Sequence, residues 1–133
     1  MVVVLIIGLL IGIGLPTFLG ARTRAQDRAA QSELRTGLAA GLTYFAEFAS
    51  WTGFDAAEAT SAEPNLSWLD GGVPGPGETS IQAHSGWNLL LVRVSGSGSY
   101  FCIAQVAGSP ATDRGRGTVF AEVDTIAECT GGW

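Results

Sequence analysis

MVVVLIIGLLIGIGLPTFLG, residues 1–20, sets the terms for the rest of the chain. It carries no charged side chain, and thirteen of its positions are Val, Leu, Ile or Phe. As a helix it spans roughly 30 Å, the hydrocarbon thickness of a bilayer. At about 0.3 to 0.6 kcal/mol per such residue, insertion is favoured by roughly 4 to 8 kcal/mol. Gly8, Gly12, Gly14 and Pro16 weaken the helix but are tolerated in membrane-spanning segments. Gly8 and Gly12 also give the small-xxx-small spacing of helices that pack together in lipid.

The helical pattern does not stop at residue 20. From Arg22 to about Thr52 there is no Pro and no turn cluster, and one face carries Leu34, Leu38, Leu42, Phe45, Phe48 and Trp51. Steps of three and four residues are those of an amphipathic helix, so this stripe is expected to pack on a head. Small residues recur at Ala21, Ala25, Ala29, Ser32, Thr36 and Ala40, with Gly37 and Gly41 as a second smooth spot, a surface open to another helix. Arg24 and Asp27, three apart, are within reach of each other, a pair worth only about a few tenths of a kcal/mol if exposed. The reading is one helix over residues 1–52, about 75 Å long, that begins in lipid (1–20) and continues in water (21–52).

A cleaved signal peptide predicts a basic start, a short apolar core and a small-residue cleavage site; here the start is not basic, the run is too long, and the helical pattern continues through the would-be cleavage point. A plain signal anchor accounts for the span but not for the Gly and Pro spacing. MVVVLIIGLLIGIGLPTFLGARTRAQDRAAQSELRTGLAA resembles the mature N-terminal region of type IV pilins: the apolar MVVVLIIG block, Gly8, Pro16 eight residues on, and the polar switch after Leu19. The likeness covers about forty residues; the C-terminal half agrees only in general plan.

The resemblance implies an α+β pilin fold, a long N-terminal helix carrying a small antiparallel sheet. It implies a monomer held in the cytoplasmic membrane by residues 1–20, then moved by an assembly machinery into a helical homopolymer on the cell surface. Val2, Val3, Val4, Leu5, Ile6, Ile7, Gly8, Leu9, Leu10, Ile11, Gly12, Ile13, Gly14, Leu15, Pro16 and Phe18 would form the filament core. Members of the family also carry a basic leader, an N-methylated first residue and a Glu two positions before the Met-Val-Val block; either about six mature residues and the leader precede Met1, or the chain lacks them. A further expectation is that the helix unwinds between Gly8 and Pro16 inside a filament. Four of those nine positions are Gly or Pro, costing about 1 kcal/mol per Gly and about 3 for Pro.

Residues 53–133 would make one small head. Hydrophobic residues are 47% of the chain and charged ones 14%, the apolar excess lying at the N-terminus. Residues 1–35 carry four Arg against Asp27 and Glu33, whereas residues 36–133 carry three Arg against ten acids. An acidic head disfavours general binding to nucleic acid, and no clear nucleic-acid site is seen. Cys102 and Cys129 lack the companions of a structural zinc site. Joined, they would remove about 3.5 kcal/mol of unfolded-state freedom, a bond suited to an extracytoplasmic compartment; two buried thiols are the alternative. The positive-inside rule, applied to Arg22, Arg24 and Arg28, points the other way, and a basic leader would offset it.

Strands are expected at 87–94, 99–107 and 118–124, in a three- or four-stranded antiparallel meander, with Ser95 to Gly98 as a hairpin turn. Leu89 and Leu91 alternate with Leu90 and Val92, so the first strand is expected to be covered on both faces. Residues 53–86 read as loop, tucking Trp51, Phe54, Leu66 and Trp68 onto the core and presenting Asp55, Glu58, Glu63, Asp70 and Glu78 as a solvated acidic face. The lone His84 fits a strand start better than a general base. Gly115 and Gly117 around Arg116 form only a weak anion-turn motif. Neither an enzyme nor a cofactor or metal is expected. Other roles compatible with the pattern are a type II secretion pseudopilin and a membrane-anchored binding domain that stays monomeric.

Overall fold

The computed structural model describes residues 1–133. One helix, α1 (Val2–Phe48), runs roughly 70 Å without interruption, straight through Pro16. It ends sooner than the apolar stripe suggests. Ala49 takes a left-handed conformation and its N–H donates to the Phe45 carbonyl. The chain then folds back: Trp51 N–H donates to Gly86 O (2.8 Å), and its indole N–H to Gly41 O (3.1 Å). Trp51 therefore reaches the core from the turn beyond the helix, not from the helical stripe.

Beyond that turn come a short helix, α2 (Ala56–Ala62), and five strands: β1 (Ser67–Asp70), β2 (Glu78–Ser85), β3 (Asn88–Val94), β4 (Tyr100–Gln105) and β5 (Asp113–Gly117). They form one sheet in chain order, antiparallel from β2 to β5, while β1 runs parallel to β2. The head is thus a mixed five-stranded sheet rather than a pure antiparallel meander of three or four. A parallel neighbour usually needs a long crossover. Here β1 has only four residues, so seven residues (71–77), bent at Gly71, Gly72 and Gly77, span the return of about 13 Å. Gly71 N–H to Ile81 O, Ser80 Oγ to Gly72 O and Gln82 Nε2 to Gly72 O hold that return against β2.

The sheet divides the core in two. Ile81, Leu89, Leu91, Phe101 and Ile103 face α1 and meet Ala30, Leu34, Leu38, Trp51 and Phe54. Leu90, Val92, Cys102 and Ala104 point the other way and are covered by Val123 and Cys129. Strand β3 is buried on both faces, as its sequence indicates. Its cross-strand pairs keep the two sets apart, Leu91 opposite Ile103 and Val92 opposite Cys102.

Residues 118–124 are not a strand. Phe120–Glu122 form a 3-10 turn, and Val123 and Ile126 sit in a lid across the outer face. The strand beside β4 is the preceding DRGRG stretch. Its glycine is required by what crosses above it: a Cβ at Gly115 would lie 2.8 Å from Cys102 Sγ and 2.9 Å from the Thr130 nitrogen. Cys102 and Cys129 are bonded, with their Cα atoms 5.8 Å apart. The tail after Cys129 bridges Gly131 to Gly115, and the Trp133 indole donates to Cys102 O (2.9 Å).

Candidate functional site

The surface that needs explaining is α1 itself. Every residue from Met1 to Leu19 is exposed, thirteen of them Val, Leu, Ile or Phe, and the most apolar stretch of the helix has none of its residues buried. The first buried position is Asp27. About 30 Å of apolar rod therefore projects beyond the head with nothing of its own chain against it. An apolar surface of this size is far larger than the few hundred square ångströms that a soluble monomer leaves uncovered. Gly8, Gly12 and Gly14 have no heavy atom within 4 Å of a Cβ built on them.

Where α1 meets the sheet, small residues do the packing. Leu34 and Leu38 are buried, as the stripe predicts. Leu42 and Phe48 are 45% and 55% exposed and Phe45 is half-buried, so they lie on the rim of the contact. The centre is taken by Gly37 and Gly41: a Cβ on the former would sit 3.0 Å from the Trp68 ring, and one on the latter 2.7 Å from Leu89 Cδ2. These two glycines serve the approach of the sheet rather than of another helix. Ala40 is likewise buried, whereas Ala21, Ala25, Ala29, Ser32 and Thr36 form an open stripe on the opposite side.

Polar groups fix the lower end of the head on the helix. Asp27 is buried, and its Oδ1 accepts from Ser95 Oγ (2.7 Å) and from Ser97 Oγ, both in the β3–β4 hairpin turn. Its partner among the arginines is Arg116, at 3.7 Å, not Arg24. Nearly two turns of helix higher, Glu33 pairs with Arg93 at 2.6 Å, and Arg93 also donates to Thr79 Oγ1 (2.7 Å). Burial pulls the Arg93 guanidinium below its ordinary range, while the charge of Glu33 and the hydrogen bond to it pull back. Breaking such a pair costs more than forming it gains, so the contact sets geometry more than stability. At the tail, Trp133 lies between Arg35 and Arg114, whose guanidinium carbons are 4.9 and 5.3 Å from its ring centre.

The expected acidic face is only partly that. Asp55 caps α2 by accepting from Ala57 and Glu58 N–H, Asp70 accepts from Ala56 N–H, and Glu78 accepts from Gly75 N–H. These carboxylates hold turns together, leaving Glu58 and Glu47 facing an open groove of about 350 Å³ beside Tyr44 and Phe48. Of the apolar residues expected to tuck in, Trp51 and Phe54 are buried and Trp68 packs partly buried; Leu66 lies half-buried outside the cluster. His84 is exposed near the end of β2, opposite Leu89. Arg116 lies within β5 and donates to Ser99 Oγ (3.1 Å), so the Gly115–Gly117 stretch is a strand, not an anion turn.

Comparison with protein-family profiles, with curated proteins and with solved structures finds no match for this chain.

Proposed function

We propose that this protein is the structural subunit of a type IV pilus-like filament, polymerising through α1. The observation that carries the reading is the projecting apolar rod, continuous with the helix that anchors the head. Two environments can cover such a rod, a bilayer or other copies of itself. In the first the monomer is anchored by residues 1–20; in the second Val2 to Phe18 form a filament core with the heads outward. The buried disulfide suits an extracytoplasmic head. No observation favours a pseudopilin or a solitary anchored domain over this reading.

Electron microscopy of fibres sheared from producing cells, with an antibody against residues 53–133, tests the proposal. Long labelled fibres are expected. A chain found only as monomer in the membrane fraction, with no fibre and no self-association, would overturn it.

A further inference from the structure

Three arginines follow the apolar rod directly, and none of them is used inside the chain. Arg22, Arg24 and Arg28 are exposed, and neither of the chain's two ion pairs involves them. The acids nearest to them in sequence are taken: Asp27 accepts from Ser95 and Ser97 and faces Arg116, and Glu33 pairs with Arg93. Arg24 and Arg28 share one side of α1 while Arg22 stands roughly 160° round the helix from Arg24, so the charges ring the helix rather than line one face. Helical side chains lean towards the N-terminus, here towards the rod. Arg24 does so: its Nη1 lies 3.8 Å from the place of a Cβ on Gly20, one turn down. Glu47 and Glu58, by contrast, open onto the groove beside Tyr44. Glu47 stands about 40 Å along the axis from Gly20.

Resting on the anchored monomer of the proposed function, we infer that Arg22, Arg24 and Arg28 form a collar that binds the phosphates of anionic phospholipids on the head's side of the bilayer. With residues 2–20 in hydrocarbon, their Cα atoms stand roughly 3, 6 and 12 Å above Gly20. The headgroup layer is about 5 to 8 Å deep. Arg22 and Arg24 start inside that layer, and Arg28 enters it by reaching down one turn of about 5.4 Å, as Arg24 does. The fork of N–H donors on a guanidinium matches two oxygens of one phosphate. Three such groups, with the neighbouring carboxylates committed to the head, favour lipids of net negative charge over zwitterionic ones. Arg35, roughly 22 Å above Gly20, is out of reach and lies against Trp133. Topology does not account for the collar, since cations on this side oppose an outward head. The contact instead sets the depth of the rod, and it keeps the acidic groove far from a surface of like charge.

The test is electron spin resonance of the full-length chain in phosphatidylcholine vesicles holding a minor share of phosphatidylglycerol, with a trace of either lipid spin-labelled. Labelled phosphatidylglycerol should be immobilised beside the protein about three- to fivefold more than labelled phosphatidylcholine, and high salt should lower that ratio. Arg22→Gln, Arg24→Gln and Arg28→Gln together should abolish the preference; all three side chains are exposed, so the head is untouched. Arg35→Gln should leave it unchanged. Inorganic phosphate at matched ionic strength should also leave it unchanged; loss of the preference there would mark a site for free phosphate and overturn the lipid assignment. Equal immobilisation of the two lipids, or a preference that survives the triple change, overturns the collar while leaving the anchored reading intact. A chain that flotation leaves outside the vesicles overturns that reading and this inference with it.

Discussion

Replacing Gly41 by alanine sets two known effects against each other inside one helix. Alanine is the better helix former by about 1 kcal/mol, so at an open position the change stabilises. At Gly41 the new Cβ would stand 2.7 Å from Leu89 Cδ2, with Trp51 Nε1 at 3.5 Å and a Phe54 ring carbon at 3.6 Å. Carbon atoms rest at about 3.5 to 4.0 Å, so Leu89 must give way by roughly 1 Å. It is fully buried between α1 and the sheet and has nowhere to go. Overpacking costs about 1 to 3 kcal/mol, and with Leu89 fully enclosed the upper part of that range, about 2 to 3, applies, which leaves a net loss of about 1 to 2 after the helical gain. For a domain of this size the melting temperature should fall by roughly 5 to 10 °C. Thermal denaturation of a soluble fragment beginning near Arg24 reads the effect. Leu89→Val in the Gly41→Ala background should recover part of the loss, although alone it destabilises, giving a favourable coupling in a double-mutant cycle. A Gly41→Ala fragment as stable as the parent would refute the claim that the helix is seated on the sheet through this glycine.

Cys129→Ser should lower head stability by about 2 to 5 kcal/mol and free the tail, read as lost amide protection at Gly132, whose N–H donates to Arg114 O. A fragment beginning after Gly53 lacks Leu34 and Leu38, so it should aggregate or lose fixed packing where the one beginning near Arg24 is soluble; a well-dispersed spectrum from the shorter fragment would refute this. The backbone N–H of Thr118, then that of Val119, then the Thr118 hydroxyl hold the Glu122 carboxyl below its ordinary range. Its contribution is therefore complete above the unfolded-state pKa and is lost as pH falls through the depressed folded value. Acidification should loosen residues 117–123, and Glu122→Gln should abolish that dependence in an NMR titration. In a filament, Gly14→Ala with Pro16→Ala should restore helix between Gly8 and Pro16 and shorten the extension of the fibre under load; unbroken i to i−4 bonding from Ile6 through Leu15 in a filament map of the unmodified chain would refute the unwinding.

The parts of this fold that announce themselves in sequence are those where apolarity alone decides the outcome. Helix α1 is one, since an uncharged run and a three-four stripe share a single period. Strands β3 and β4 are others, because both faces of each are apolar and only a doubly covered strand accommodates that. Strands β1 and β2 are hidden for the opposite reason: Thr79 and Ser80 are fully buried yet polar, their needs met by Arg93 and by the Gly72 carbonyl. DRGRG looks like loop because the glycine that makes it fit beneath the disulfide is also a turn residue. TVFAEVD has a strand's composition, but its valines lie on opposite sides of a lid, Val119 exposed and Val123 buried. The Asp27 contact joins residues 68 and 70 positions apart, beyond any local pattern. Arg24 is the arginine within local reach of Asp27, yet the one that pairs with it is Arg116.

The division of the core between helix and sheet fixes an order in time. Leu34 and Leu38 are made early, whereas Phe101 and Ile103, which cover them, follow more than sixty residues later. At about 5 to 20 residues per second, the partners emerge roughly 3 to 13 seconds after the helix. Helix α1 forms within microseconds of leaving the ribosome, so for nearly all that interval it is a finished helix with a bare apolar side. With the rod anchored as proposed, the stem continues the same helix and stands about 40 Å out of the membrane, so that side waits in water until the sheet docks. The last contacts to form are those with the greatest sequence separation, Asp27 with Arg116 and Arg35 with Trp133.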